Sequence, residues 1–545
     1  MQVVIIGSGI SGMSAAIEAA MLGHEITLLA PYGSERSQSV MAAGGINALN
    51  DNKDEGDSIE SHIEDTYKGG WFIEDKEDIK ALCSNATDHL KFLENMGVVF
   101  TRDKNHNISR RAFGGQSHKR TAYSGSSTGK QIVTALIQKC REYENKGQIK
   151  RIVGLTFHSA IISNGKCHGV VMMNPLSGEI FPYYSDAVII ATGGQNKLFG
   201  KTTGTELCDG YVAGKLFSQG VTLRNLEFIQ YHPTTIETSH KRMLITEAAR
   251  GEGGRLYYIK DGKRIYFMED KYGGKGNLMP RDIVSKCIYD CPSQVYLDIT
   301  FLGKSLILDR LREVYDVCKE YINLDVTKES IPVAPSVHFF MGGIAVNIEH
   351  ETNIKRLYAV GECASKYHGA NRLGGNSLLS AVHSGRSAAR SIDVKYRDDS
   401  KKNKVDEDFS DYINEVKNEI VKLQNSQSKF PAVYILRDLA DIMNKNMGIT
   451  RCEKELDDGI KQIDYYLDIL SKIKFDPEVS LYENLRLYHM MLLAKATLLS
   501  AKSRKETRGA HIRIDYPDAR EMYKKCSYVN YINGDICISY EENIL

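Results

Sequence analysis

Between His338 and Ser377 the chain reads VHFFMGGIAV and then YAVGECASKYHGANRLGGNS. One acid, Glu362, and two cation donors, His338 and Arg372, stand there among glycines that let backbone come close to a ligand. A plain core strand needs none of these. Upstream, YHPTT, TEAARGEGG and MPRD contribute His232, Thr246, Glu247, Arg250 and Arg281. Any one of them alone is more often a satisfied polar residue than a catalyst. Together with His338 and Arg372 they supply enough cationic donors to clamp two carboxylates, so the chemistry to expect acts on a small dicarboxylic acid.

A second group of residues suits a nucleotide. Gly7, Gly9 and Gly12 form GxGxxG after the apolar run QVVII and at the start of a helical pattern, where a helix N-terminus can hold a pyrophosphate. The next strand ends LLAP, so no acid stands near Ala30 to hold a ribose. That disfavours NAD as a free substrate and favours a tightly held FAD with other anchors. RSQSVMAAGGINAL, Arg36 to Leu49, suits backbone laid against a flat ring; by itself it also fits a small-residue helix start. A helix beginning near Asn376, in GGNSLLSAVHSG, would aim its positive end at the flavin pyrimidine edge, and Asn-Ser is equally a good N-cap.

The elements that must position these groups follow from periodicity. Residues 2–6, 10–22 and 25–30 read as strand, helix and strand, a βαβ unit, and further strands end at AVIIATGG and LYAVGE. At 545 residues the chain exceeds one core, and about 150 residues per domain gives three or four. Residues 1–232 and 346–395 are expected to form a discontinuous FAD-binding domain, 233–345 an inserted cap, 396–510 a helical bundle and 511–545 a tail packed back on the body. The charge run RDDSKKNKVDED after Ile392 reads as a linker. Leu456, Ile460, Ile463, Leu467 and Leu470, then Leu481, Leu485, Tyr488 and Leu492, read as the seams of antiparallel helices. The fold class is α/β: a Rossmann-like FAD-binding domain, an inserted α+β capping domain and a C-terminal helical bundle.

Lys plus Arg total 70 against 69 Asp plus Glu, so the net charge of +1 gives no global field toward nucleic acid or anionic lipid. The start MQVVIIGSG lacks the basic and apolar regions of a secretory signal, and no run reaches the roughly 18 apolar residues of a membrane span. The expectation is a cytoplasmic protein that reaches a membrane only through partners. Eleven cysteines include no CxxC pair, and the spacing of Cys287 and Cys291 fits no common cluster or zinc pattern, so no metal is assigned.

With GSGISG, FGGQS, ATGG, EFIQYHPT, TEAARGEGG, PRD, HFFMGG, GECA, HGANRLGGNSL and SRKETRGAH in this order, the chain resembles the flavoprotein subunits of fumarate reductase and succinate dehydrogenase, a family that includes L-aspartate oxidase. The resemblance runs from Met1 to about Pro517. It implies fumarate reduction, or succinate oxidation, by hydride transfer at flavin N5, with one substrate carboxylate on His338 and Arg372 and the other on His232 and Thr246. It implies Arg281 as proton donor, with Glu247 and Arg250 as its proton path to solvent. It places FAD against Gly7, Ser8, Gly9, Gly12, Ser37, Gln38, Gly44, Gly45, Ala191, Gly193, Asp209, Glu362, Ser377 and Leu378, with Glu362 on the ribityl chain. It also implies an iron-sulfur subunit as partner and a membrane quinone-binding subunit beyond it.

Two departures matter. Many members attach FAD through the histidine of an RSHT-like motif; here the motif is RSQS, and Gln38 cannot form that bond. Non-covalent FAD is expected, and with it, by the resemblance, a lower flavin potential that favours fumarate reduction. Ala43 stands where the family usually has Glu or Gln before two glycines, which removes one flavin hydrogen bond. L-aspartate oxidase is the nearest alternative. It carries a glutamate before its paired glycines to meet an ammonium, whereas Phe113 precedes Gly114 and Gly115 here. A non-catalytic assembly subunit is the alternative of another class; against it, no acid, clamp or relay position holds an inert residue.

Overall fold

Apolar runs without alternation decide the first layer, because strands covered on both faces have no solvent side to mark. Gln2–Ile6 and Ala187–Ile190 are of this kind and lie side by side in a parallel five-stranded sheet, ordered Leu357–Ala359, Ala187–Ile190, Gln2–Ile6, Glu25–Ala30, Ile149–Val153. This computed structural model describes residues 1–49, 56–125, 127–239, 241–398, 408–424, 432–472 and 480–540. The expected helix runs Ile10–Met21 and is buried along almost its whole length. Its small residues admit a second helix, Asn376–Tyr396, so closely that a Cβ on Gly385 would lie 2.3 Å from Ser11 O. Glu18 ties the pair by accepting from Arg386 Nε at 2.8 Å and Arg390 Nε at 2.5 Å.

The region expected as a cap carries a six-stranded antiparallel sheet, ordered Arg242–Leu244, Ile229–Glu237, Ile331–Phe340, Val295–Asp298, Arg255–Lys260, Lys263–Ile265. Helices Phe267–Tyr272, Arg281–Tyr289 and Arg312–Ile322 accompany it. The expected boundary between residues 232 and 233 falls inside strand Ile229–Glu237, which runs unbroken between the two regions. Its pairing with Ile331–Phe340 shifts register twice, between Gln230 and Tyr231 and between His232 and Thr235. Such irregularities re-aim side chains, and they sit beside His232 and His338.

Among the described residues four helices follow: Ser410–Gln424, Ala432–Asn446, Glu453–Lys472 and Leu481–Ser503. Of the first stripe, Leu456 and Ile463 are buried, and Ile460, Leu467 and Leu470 pack against the same core. Of the second stripe, Leu481 and Leu492 are buried and Leu485 packs against the core, while Tyr488 is a correction. It is 37% exposed, and Leu487, Met490, Met491 and Leu493 are buried as well, because Leu481–Ser503 is enclosed on several sides and no single stripe describes it. Within the proposed linker, residues 399–407 lie outside the described residues; the helix before it continues past Ile392 to Tyr396. No helix among the described residues is long and apolar enough to cross a membrane.

The tail packs on the body as two strands, Tyr528–Ile532 and Asp535–Ser539. They extend a sheet made with Leu223–Arg224, Gly343–Ala345 and Ala364–Ser365. Its anchor is ionic. Arg504, fully buried, donates through Nε to Glu227 at 2.6 Å and through Nη1 to Glu506 at 3.1 Å, and Ser527 Oγ donates to Glu227 Oε2 at 2.8 Å. Removing one partner leaves buried charge uncompensated, so Arg504→Ala is expected to destabilise the protein by about 3–5 kcal/mol. Denaturant unfolding measures it, and an unchanged midpoint would refute the assignment.

Candidate active site

The parallel strands end in turns that open onto one cleft enclosing about 2010 Å³ of empty space, its mouth included. Gly7, at φ 110°, turns the chain so tightly that a Cβ would lie 2.2 Å from Ala191 O. Gly9 is the N-cap of helix Ile10–Met21, with no side chain capping it and no acid in the first turn, an arrangement suited to a pyrophosphate. Ser39 Oγ meets the Ile10 N–H at 3.2 Å. Gly12 does not line the cleft. It packs the helix onto the turn, where a Cβ would meet Gly7 O at 2.0 Å.

Ser8, Ser37, Gln38, Gly44, Gly45, Ala191, Gly193, Asp209, Glu362, Ser377 and Leu378 line the same cleft. Their chemistry fits FAD. Ser37 Oγ is buried without a protein partner, and Phe113 presses on Gly44 and Gly374 so closely that a Cβ on either would lie 3.0 Å or less from its ring. Gln38 Oε1 accepts from Thr205 N–H at 2.7 Å. Asp209 is already committed: one oxygen accepts from Tyr211 N–H at 3.0 Å, the other from Tyr482 O–H at 2.7 Å and Arg486 Nη1 at 3.2 Å. It therefore ties the last long helix to the cleft wall. Helix Asn376–Tyr396 begins at Asn376, but its cap is Gly375 and no side chain caps it.

The cationic groups gather at one end. Arg281 opens its helix and donates Nε and Nη2 to Glu247 Oε2 at 2.9 and 2.8 Å. Its Nη1 reaches Gln230 Oε1 at 3.0 Å, and Arg372 Nη2 reaches the same oxygen at 3.0 Å. Gln230 Nε2 in turn donates to Asn371 Oδ1 at 2.8 Å and Arg372 O at 2.7 Å, which fixes the amide's orientation. Gln230, which holds both arginines, is a residue the sequence reading did not single out. It stands in EFIQYHPT two positions before His232, on the same strand, and that spacing was the available signal.

Arg372 lies 4.3 Å from the Phe339 ring centroid, and its Nε is buried without a protein partner. Burial, then the charge of Arg281, push its pKa well down, with Glu362 and Glu247 opposing. His232 and His338 face each other with ring centroids 5.1 Å apart, and both are held well below the ordinary histidine value by burial and by Arg281. Thr246 lines the cleft beside them. Burial works against the Glu247 charge, yet Arg281, Arg250 and the Gly114 N–H, at 2.8 Å, hold its pKa below normal.

Arg250 is fully buried, lies 3.6 Å from Glu247 Oε1 and donates Nη1 to Asn277 O at 2.7 Å.

Comparison with known proteins agrees with this geometry. Residues 2–378 match the FAD binding domain family and 436–544 the fumarate reductase flavoprotein C-terminal family. The succinate dehydrogenase flavoprotein subunit of Bacillus subtilis (strain 168) is 36% identical over 539 residues, covering 95% of this chain and 92% of that one.

This chain belongs to the fumarate reductase and succinate dehydrogenase flavoprotein family.

It is an FAD-dependent oxidoreductase of that family. L-aspartate oxidase of Acinetobacter baylyi is a more distant relative, 30% identical over 536 residues, 96% of this chain and 95% of that one. Escherichia coli quinol fumarate reductase FrdA superposes with a TM-score of 0.88 at 29% identity, covering 100% of this chain and 97% of that one.

Glu362 lines the cleft with a raised pKa, and if it meets the ribityl chain, as the resemblance implies, FAD binding acquires a pH dependence. Its pKa is pushed up to about 7 by burial, which the Phe340 N–H at 3.1 Å and Arg372 only partly oppose. Hydroxyl donors from a bound ribityl chain favour the ionised form. Below pH 7 binding must first displace a proton, so FAD affinity is expected to rise with pH up to about 7 and level off above it, by at most tenfold per unit. Fluorescence titration of stripped protein between about pH 5.5 and 8 measures this. Glu362→Gln should remove the slope, and a flat wild-type profile would count against the assignment.

Proposed function

We propose that the chain interconverts fumarate and succinate, as the catalytic flavoprotein of an electron-transfer complex. The observation that carries this reading is the amide of Gln230 holding Arg281 and Arg372 in one cleft with His232, His338 and Thr246. A dianion supplies the two negative charges this wall of donors lacks. In this reading His338 and Arg372, whose Nε has no protein partner, take one carboxylate, while His232 and Thr246 take the other. Phe113, 3% exposed, closes a face against water.

FAD, when bound, supplies the hydride-transfer chemistry at its N5. The chain's own residues do the rest. Clamping both carboxylates polarises the alkene. Arg281 gives a proton to the neighbouring carbon, a step open to so weak an acid only if the proton is replaced at once. Glu247, 2.8 Å away and kept ionised, is placed to return it, with Arg250 behind it. Phe113 also argues against aspartate: a phenyl ring offers an ammonium no charge, and Glu247 is engaged by Arg281 and Gly114.

We assign the onward electrons to an iron-sulfur subunit and, beyond it, a membrane quinone-binding subunit, which would hold the chain peripherally at the membrane. The E. coli structural neighbour is a quinol fumarate reductase.

Two outcomes test this reading. Arg281→Ala is expected to lose fumarate reduction by at least about 10³-fold with FAD retained; activity near wild type would remove Arg281 from the mechanism. Acid precipitation should leave a colourless pellet and a yellow supernatant, because Gln38 offers no bond to flavin. A yellow pellet would refute non-covalent attachment.

A further inference from the structure

His338 does not stand alone. Its Nδ1 lies 2.8 Å from Thr203 Oγ1, a hydroxyl buried in the loop before helix Tyr211–Ser218. That oxygen is also 3.2 Å from Val337 O, to which it can donate. One hydroxyl has one proton, and where it goes decides the imidazole. If it goes to Val337 O, Nδ1 must carry the ring proton and Nε2 is left as a bare acceptor, which repels a carboxylate. If it goes to Nδ1, Nε2 keeps its proton and becomes a donor.

Two observations favour the second arrangement. Val337 O already accepts the Thr203 backbone N–H at 3.2 Å, so it does not depend on the hydroxyl. The contact to Nδ1 is the shorter of the two. His232 across the cleft is held differently: its Nδ1 lies 3.1 Å from Thr234 O and 3.3 Å from Thr234 N, with no side-chain hydroxyl in that pair. A doubly protonated ring is disfavoured in so buried a place beside Arg281, so the tautomer decides the site's polarity.

We propose that Thr203 is the positioning residue that fixes His338 in the Nε2–H tautomer and so makes it a carboxylate donor. The inference deepens the dicarboxylate reading above and rests on it for the identity of the ligand. The same loop reaches the flavin wall: Thr205 N–H donates to Gln38 Oε1 at 2.7 Å, and Thr202 O accepts from Arg242 N–H at 3.1 Å. Loop 202–205 therefore joins the flavin side, the strand next to the substrate site and the histidine that would hold substrate.

The test uses FAD-loaded protein labelled with ¹⁵N-histidine, wild type, Thr203→Val and Thr203→Ser, with His338→Gln to assign the resonance. The expected result is Nε2–H at His338 in wild type and Thr203→Ser, and loss of that preference in Thr203→Val. Malonate binding, read from the flavin spectrum, should weaken about tenfold in Thr203→Val, and Thr203→Ser should restore it. Nδ1–H at His338 in the wild type overturns the proposal without any variant. So does Thr203→Val with unchanged tautomer and malonate affinity. Wild-type protein that shows the Nε2–H tautomer but binds no malonate would sustain the role of Thr203 and sink the dicarboxylate reading instead.

Discussion

Burying two guanidinium groups in one cleft on a single amide oxygen is the constraint on which the rest of the site depends. Arg281 and Arg372 repel each other, and burial makes the repulsion stronger than it would be in water. The fold meets this with one neutral acceptor, Gln230 Oε1, at 3.0 Å from each, and with Glu247 on the far side of Arg281. What is left over is positive. A binding site made in this way favours a dianion by charge before it selects by shape.

The supporting structure can be read as the means of holding that arrangement. Gln230 and His232 ride on a strand that runs between the two regions of the molecule, and its irregular pairing with Ile331–Phe340 sets His338 opposite His232. Arg372 comes from the loop before helix Asn376–Tyr396. Asn47 braces that loop by donating to Gly374 O at 2.8 Å and Asn376 Oδ1 at 2.7 Å. Glycine is required at 375, where φ is 83° and a Cβ would lie 2.1 Å from Asn47 Oδ1. The nucleotide end is simpler: a parallel sheet, a tight glycine turn and a helix held close by a second helix.

Much of this was legible in the chain. The βαβ start and the GxGxxG turn could be named from their types and order, because backbone-bound chemistry leaves local marks, and the polar residues His232, Thr246, Arg281, His338 and Arg372 that line one cleft could be singled out by type. Gln230 was not singled out, since an amide is chemically mute until two arginines converge on it. Arg250 entered as part of a route to solvent through the resemblance; that it lies buried beside Glu247 is information no residue order carries. Tyr488 read as core because periodicity finds one apolar face, and Leu481–Ser503 is enclosed on several.

By itself, then, the sequence determined the class of fold, the flavin turn and the set of polar side chains available to the cleft. It also determined that residue 38, in RSQS, is a glutamine, which has no histidyl nitrogen to offer a flavin. Only the tertiary structure decided which of those side chains share atoms: two arginines on one amide oxygen, Thr203 on His338, Asp209 on the last long helix rather than on open space. The physical reason is that residue type fixes what a group can donate or accept, whereas the strength and direction of a buried polar contact depend on partners hundreds of residues away and on the water that packing removes.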